Sequence, residues 1–167
     1  MCSAGSGKTL AFGLPILQRL QESLVETLAE RPRPAKKGGG GARGAAAAGG
    51  SASTGHGPFA LVVCPTRELA TQVASHLQAV APDGVRVIAL VGGMSIDKQR
   101  RLLLGEPHVV VGTPGRLWEL VSDSSCAYLR SLHSLRFFVL DEVDRMVEAR
   151  LPRLPLALPR LPLALPQ

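Results

Sequence analysis

The chain has 167 residues, 46% hydrophobic and 19% charged, with a formal net charge of +6. This is the length of one domain and not the composition of a chain disordered throughout. Three cysteines and four histidines without paired spacing exclude a disulfide framework and a zinc site, and no run of about 18 apolar residues is present to span a membrane. With no basic stretch and apolar core at its start, the chain shows no signal peptide, and an intracellular, reducing setting is expected. The positive charge is unevenly placed. Arg31, Arg33, Lys36, Lys37 and Arg43 fall in 31–58 with no acid, and Arg150, Arg153 and Arg160 fall in 150–167 with none. The remainder is slightly acidic, so bulk charge is a weak argument for nucleic-acid binding.

In chain order, residues 1–30 open on a glycine-rich loop and continue as a helix from Thr9 to about Glu30. Leu10, Leu14, Leu17, Leu24 and Leu28 recur there at helical spacing, and Pro15 should kink the helix or mark its early turns. Residues 31–58, rich in Gly, Ala, Pro and basic residues, read as a flexible insertion. Residues 59–149 then alternate. Strands are expected at 59–64, 85–91, 108–111 and 136–140, and helices at 66–80, 95–104, 114–121 and from 142 to 149. Ser95 is a plausible N-cap, and Pro114 suits a first helical turn. Apolar strands separated by helices predict an α/β fold: a parallel sheet, its strands buried on both faces by flanking helices. Residues 151–167 repeat Leu-Pro-Arg-Leu-Pro-Leu-Ala, which allows neither helix nor sheet. The tail reads either as an extended ligand for a proline-recognising domain or as a segment unrelated to the fold, arising from an incorrect reading frame or exon boundary.

Two constellations carry chemistry. Gly5-Ser6-Gly7-Lys8-Thr9 runs into the first helix, where glycines turn backbone N–H groups toward a phosphate and the helix adds its positive dipole end. Lys8 has the reach for β- and γ-phosphates, and the Thr9 hydroxyl suits Mg²⁺. The strict phosphate-loop pattern wants a glycine where Cys2 stands. The bland alternative is a flexible start to an ordinary helix. Asp141-Glu142 closes a hydrophobic strand, where open α/β sheets place ligands. Asp141 there suits Mg²⁺ and Glu142 suits an attacking water. The alternative is a helix start enriched in acids to match its dipole.

Several segments together resemble the first RecA-like domain of a DEAD-box RNA helicase. Ala4-Gly5-Ser6-Gly7-Lys8-Thr9 is similar to that family's motif I, and Pro65-Thr66-Arg67-Glu68-Leu69-Ala70 to motif Ia. Gly92-Gly93 resembles its double glycine, Thr113-Pro114-Gly115-Arg116 its motif Ib, and Asp141-Glu142-Val143-Asp144 its motif II, with Val143 where the family has alanine. The resemblance implies that residues 4–9 hold the phosphates of ATP, with Thr9 and Asp141 on Mg²⁺, and that Lys8, Asp141 and Glu142 are catalytic. It implies that Pro65, Thr66, Arg67, Gly92, Gly93, Thr113, Pro114, Gly115 and Arg116 meet the sugar–phosphate backbone of RNA, a contact that carries no sequence information. Taken singly, Thr113-Pro114-Gly115 also reads as a strand-to-helix turn, and Arg67 as a solvated or acid-paired residue.

Leu90–Ser95, Thr113–Leu120 and Asp144–Glu148 look like the nucleolar branch that acts in large-ribosomal-subunit assembly, which also carries an insertion between motifs I and Ia. That implies a nucleolar location and pre-ribosomal protein partners. Ala4 replaces the family's threonine. The strand before the phosphate loop, the upstream glutamine motif, motif III and the second RecA-like domain with its arginine finger are not found in the 167 residues. The expectation is a domain truncated at both ends that does not turn over ATP by itself. A helicase and a non-catalytic fragment binding RNA or a partner both remain open. An unrelated phosphate-loop ATPase leaves residues 65–70 and 113–116 unexplained.

Overall fold

The computed structural model describes residues 7–29 and 57–148. In order they form α1 (Lys8–Ala29), β1 (Ala60–Val63), α2 (Arg67–Val80), β2 (Val87–Leu90), α3 (Ile96–Leu104), β3 (Val109–Gly112), α4 (Pro114–Ser122), α5 (Ala127–Arg130), β4 (Phe137–Leu140) and α6 (Val143–Glu148). The strands make one parallel sheet in the order β2-β3-β1-β4. This is the α/β class, a parallel sheet with flanking helices, that the alternation predicts. Residues 4–6, the segment 31–56 and the 151–167 repeat lie outside the described residues. Gly57 and Pro58, where the described chain resumes, are already buried.

The two-residue period of a strand sorts side chains between two cores. Ala60, Val62, Val109 and Val111 join Ile16, Leu17 and Leu20 of α1 and Val73 and Leu77 of α2 on one face. Val63, Val110 and Leu90 join Leu103, Leu117, Leu120, Leu129 and Met146 on the other. Each such aliphatic group, fully buried, contributes about 1.5–3 kcal/mol. In α2 the buried Ala70, Val73, Ala74 and Leu77 recur at helical spacing, and Thr66 caps the start by accepting from Leu69 N at 3.2 Å. Gly13 lets α1 approach α2: a Cβ there would run into the side chain of Leu77.

Four places add to or depart from the expectation. α1 runs unbroken through Pro15, which lies exposed, so the lost N–H falls on the solvent side. Ser95 stands at the N-cap of α3, but its side chain makes no cap hydrogen bond. The short α5 falls in a stretch with no helical periodicity to announce it; Cys126 and Leu129 seat it in the second core. Finally, β4 is not buried on both faces. Phe137 and Val139 pack on the first core, whereas Phe138 is 58% exposed and Leu140 47%. The reason is topological: among the described residues β4 is an edge strand, and the helices of the second face gather over β1, β2 and β3.

At the amino ends of the strands, Arg86 N donates to His108 Nδ1 at 3.2 Å, and the Tyr128 hydroxyl donates to Pro107 O. Burial first, and then Arg86, hold His108 below the usual imidazole range. Burial pushes the Tyr128 phenol up.

Candidate functional site

Because every strand runs the same way, all four carboxyl ends share one edge of the sheet. Each is followed by one of the motifs: Pro65–Arg67 after β1, Gly92-Gly93 after β2, Thr113–Arg116 after β3 and Asp141-Glu142 after β4. Ligand sites of open parallel sheets lie at this edge.

The first three of these segments enclose one open groove of about 570 Å³, lined by Pro65, Thr66, Arg67, Glu68, Gly92, Thr113, Gly115, Arg116 and Glu119. Thr66 and Thr113 are the N-caps of α2 and α4, so two helix amino termini open into the same space. Their unpaired N–H groups and dipoles favour an anion there. Thr113 uses no side-chain cap bond, and its N–H donates to Leu90 O at 3.1 Å, tying the loop after β3 to β2. Pro114 is the first residue of α4. Gly115 is exposed, with open space where a Cβ would stand.

The double glycine has a stricter role. Gly93 sits at φ +83°, in the left-handed region that disfavours side chains. A Cβ on Gly93 would come 2.7 Å from Arg67 Nη1, and one on Gly92 would come 3.2 Å from Arg67 Nε and Nη2. The exposed guanidinium of Arg67 therefore lies directly on the glycine pair. Arg116 sits in the same groove, but its side chain is only 11% exposed. It donates to Glu119 Oε2 and to Met94 O, each at 2.9 Å. Gln99, a residue absent from the motif reading, donates through Nε2 to Val91 O at 2.6 Å and is wholly buried. Its sequence signal is faint: a polar residue in the apolar stripe Ile96–Gln99–Leu103 of α3.

The fourth strand end forms a separate corner with the start of α1. Ala4, Gly5 and Ser6 lie outside the described residues. Gly7 sits at φ +73°, and among the described residues nothing comes within 4 Å of a would-be Cβ. Lys8 is exposed and Thr9 half-buried at the helix start. Asp141 N donates to Val63 O at 2.9 Å, fixing the strand end. Burial, and then the neighbouring Glu142, raise the Asp141 carboxyl above its ordinary range, while Lys8 works the other way through its charge. Glu142 takes φ +52°, uncommon for a residue with a long side chain. Arg145 Nη1 lies 3.2 Å from Glu142 Oε2 as an ion pair but out of hydrogen-bond alignment, leaving that buried oxygen without a donor. Beneath both acids, burial and their charges push the Cys64 thiol up to about 12, so it stays protonated.

This donor set fits a phosphate-bound Mg²⁺. The Asp141 carboxyl, raised by burial and by Glu142, feels the charge of Lys8, and Glu142 beside it keeps a buried oxygen without a donor. Among the described residues no three His, Cys, Asp or Glu side chains cluster as a complete metal cage. Mg²⁺ held by one or two carboxylates commonly takes its other ligands from water and substrate phosphates.

Comparison with known proteins gives the family. Residues 1–164 match the sequence model described as DEAD/DEAH box helicase. The chain is 51% identical over 145 residues to DEAD-box ATP-dependent RNA helicase 13 of Arabidopsis thaliana, covering 86% of this chain and 16% of that protein. It is 46% identical over 155 residues to ATP-dependent RNA helicase ddx24 of Dictyostelium discoideum, again covering 86% and 16%. Among solved structures it resembles the yeast DEAD-box splicing factor Prp28, with a TM-score of 0.61 and 30% identity, over 90% of this chain and 29% of that one. The chain belongs to the DEAD/DEAH box helicase family. It spans 16% of the length of the two curated relatives named.

Proposed function

We propose that this chain supplies the nucleotide corner and one RNA-binding surface of an ATP-dependent RNA helicase acting in assembly of the large ribosomal subunit. The observation that carries the reading is the placement of four motif segments along one sheet edge, three around the groove and one at the corner. At the corner, Gly7, Lys8 and Thr9, with the loop residues Ala4, Gly5 and Ser6 before them, would hold the ATP phosphates. Thr9 and Asp141 would hold Mg²⁺, which when bound neutralises charge on the transferring phosphoryl group. Lys8 brings a cation to the same phosphates, and Glu142 holds a carboxylate where a water can be oriented.

In the groove, Pro65, Thr66, Arg67, Gly92, Thr113, Gly115 and Arg116, with Gly93 and Pro114 in the same loops beside it, would shape a surface for the sugar–phosphate backbone. Hydroxyls, helix amino termini and one exposed guanidinium suit phosphates and read no bases. The large-subunit role, the nucleolar location and pre-ribosomal protein partners rest on the resemblance of residues 90–95, 113–120 and 144–148 to that branch of the family. No helix among the described residues is long and apolar enough to cross a membrane.

A binding-only reading needs the groove alone, because Lys8, Asp141 and Glu142 contribute nothing to its lining. Filter binding of single-stranded RNA by the chain, with and without Mg-ATP, separates the two. RNA binding strengthened by Mg-ATP, and no longer strengthened in Lys8→Ala, supports the helicase reading. Salt-sensitive binding indifferent to nucleotide supports the binding-only one. No RNA binding under either condition overturns both.

A further inference from the structure

We infer that Gln99 and Arg116 are positioning residues that hold the Gly92-Gly93 loop in its RNA-receiving shape without touching RNA. The inference rests on the RNA reading of the groove. A glycine pair is the most conformationally free dipeptide the chain can offer, so its shape has to be imposed from outside. The two bonds grip the loop on either side of the pair. Gln99 Nε2 takes Val91 O just before it, and Arg116 Nη2 takes Met94 O just after it. Arg67 lies on the pair itself. The three side chains therefore divide the work: two hold the loop, and the exposed third is left for phosphate.

The burial of Gln99 supports this division. Its Oε1 is buried with no hydrogen-bond partner, a cost that an apolar side chain of similar volume would not carry. The contribution the amide makes in exchange is the bond to Val91 O. Arg116 is likewise committed. Its Nε is buried and unpartnered, one arm is anchored on Glu119, and the other holds Met94 O. With these two bonds made and its side chain only 11% exposed, the guanidinium is turned to the loop rather than presented to solvent.

The test is fluorescence anisotropy of the 167-residue chain with a single-stranded oligouridine across a salt series, joined to amide hydrogen exchange. Loss of a brace lowers the fraction of loop in the competent shape and raises the apparent Kd in proportion. Gln99→Met and Arg116→Gln should each weaken binding about five- to tenfold, the range of one lost hydrogen bond. Both should leave the salt slope unchanged, because the number of neutralised phosphates is the same. Arg67→Gln should instead flatten the slope by about 0.7, the value for one single-strand phosphate. Exchange at the amides of Gly92, Gly93 and Met94 should quicken in the two brace variants and not elsewhere. Arg116→Lys, which keeps one donor, should recover part of the affinity.

A salt slope flattened by Arg116→Gln would overturn the inference and make Arg116 a phosphate ligand. Unchanged affinity and unchanged exchange in both brace variants would overturn it outright. If the unaltered chain binds no oligouridine, the RNA reading fails, and the exchange data still decide whether the two residues hold the loop. If Gln99→Met does not fold, Arg116→Gln on the surface helix α4 carries the test alone, and unchanged exchange there overturns the inference.

Discussion

The groove and the corner sit on the same sheet edge and are built on opposite principles. The groove is closed in on itself. Its loops are tied to one another by Thr113 N to Leu90 O, Arg116 to Met94 O and Gln99 to Val91 O, and two of its three strands, β1 and β3, are central in the sheet. The corner sits on edge strand β4, with a raised Asp141, an unpartnered Glu142 oxygen and a left-handed backbone at Glu142. The groove is held by bonds between its loops, although Gln99 Oε1 and Arg116 Nε stay unpartnered behind it; at the corner the unpartnered atom is a carboxylate oxygen on a left-handed residue. On the proposed function the corner would meet a transferring phosphoryl group and the groove an RNA backbone; backbone strain suits a reacting site and preorganisation suits a binding one.

Breaking the corner should give the largest effect. Lys8→Ala should weaken Mg-ATP binding by about ten- to a hundredfold, the range for loss of charge-assisted hydrogen bonds, with nucleotide-free RNA binding unmoved. Isothermal titration with each ligand measures both. Breaking the groove should cost less: Arg67→Gln should reduce RNA affinity at low salt about tenfold without altering Mg-ATP binding, read by anisotropy and titration on the same preparation.

A paired stability experiment sharpens the contrast. Glu142→Gly relieves a left-handed backbone and removes a buried unpartnered oxygen, and should raise unfolding stability by about 1 kcal/mol. Gly93→Ala forces a side chain into that same backbone region against Arg67, and should lower stability by about 1 kcal/mol. Opposite signs in urea titration support the comparison; equal signs contradict it.

The smallest effect belongs to the far end of the sheet, away from both sites. Burial and Arg86 depress the imidazole of His108 in the fold. Its contribution to stability is therefore full above the unfolded value of about 6.5 and is lost as pH falls through the lower folded value. Denaturant titrations between pH 7 and 5 should show that acid-side decline. His108→Asn, which can still accept from Arg86 N, should flatten it while leaving RNA and Mg-ATP binding alone.

The strand–helix alternation was legible because the strands are apolar and four of the helices carry clear periodicity. β4 was misjudged because alternation within Phe137–Leu140 is hidden: all four residues are apolar, and only the sheet order reveals that Phe138 and Leu140 lack cover. α5 was missed because four residues are too few to show a period. The groove residues were legible as motifs, since each motif follows a strand and the strands are parallel. What composition could not show is which motif side chains face a ligand and which face each other. Arg67 and Arg116 look alike in sequence, yet one is exposed on the glycine pair and the other is held within the fold. Gln99 carries no motif; its role exists only through a bond to a backbone carbonyl eight residues earlier.

The most direct test of the two-region account is a chemical-shift map of the isotopically labelled chain, titrated first with single-stranded oligouridine and then with Mg-ATP. The account expects RNA to move the amides of Thr66, Arg67, Gly92, Gly93, Thr113 and Gly115. It expects Mg-ATP to move those of Gly7, Lys8, Thr9, Asp141 and Glu142. RNA-induced shifts confined to the corner, or absent from the 92–93 and 113–115 loops while other surfaces respond, would contradict it.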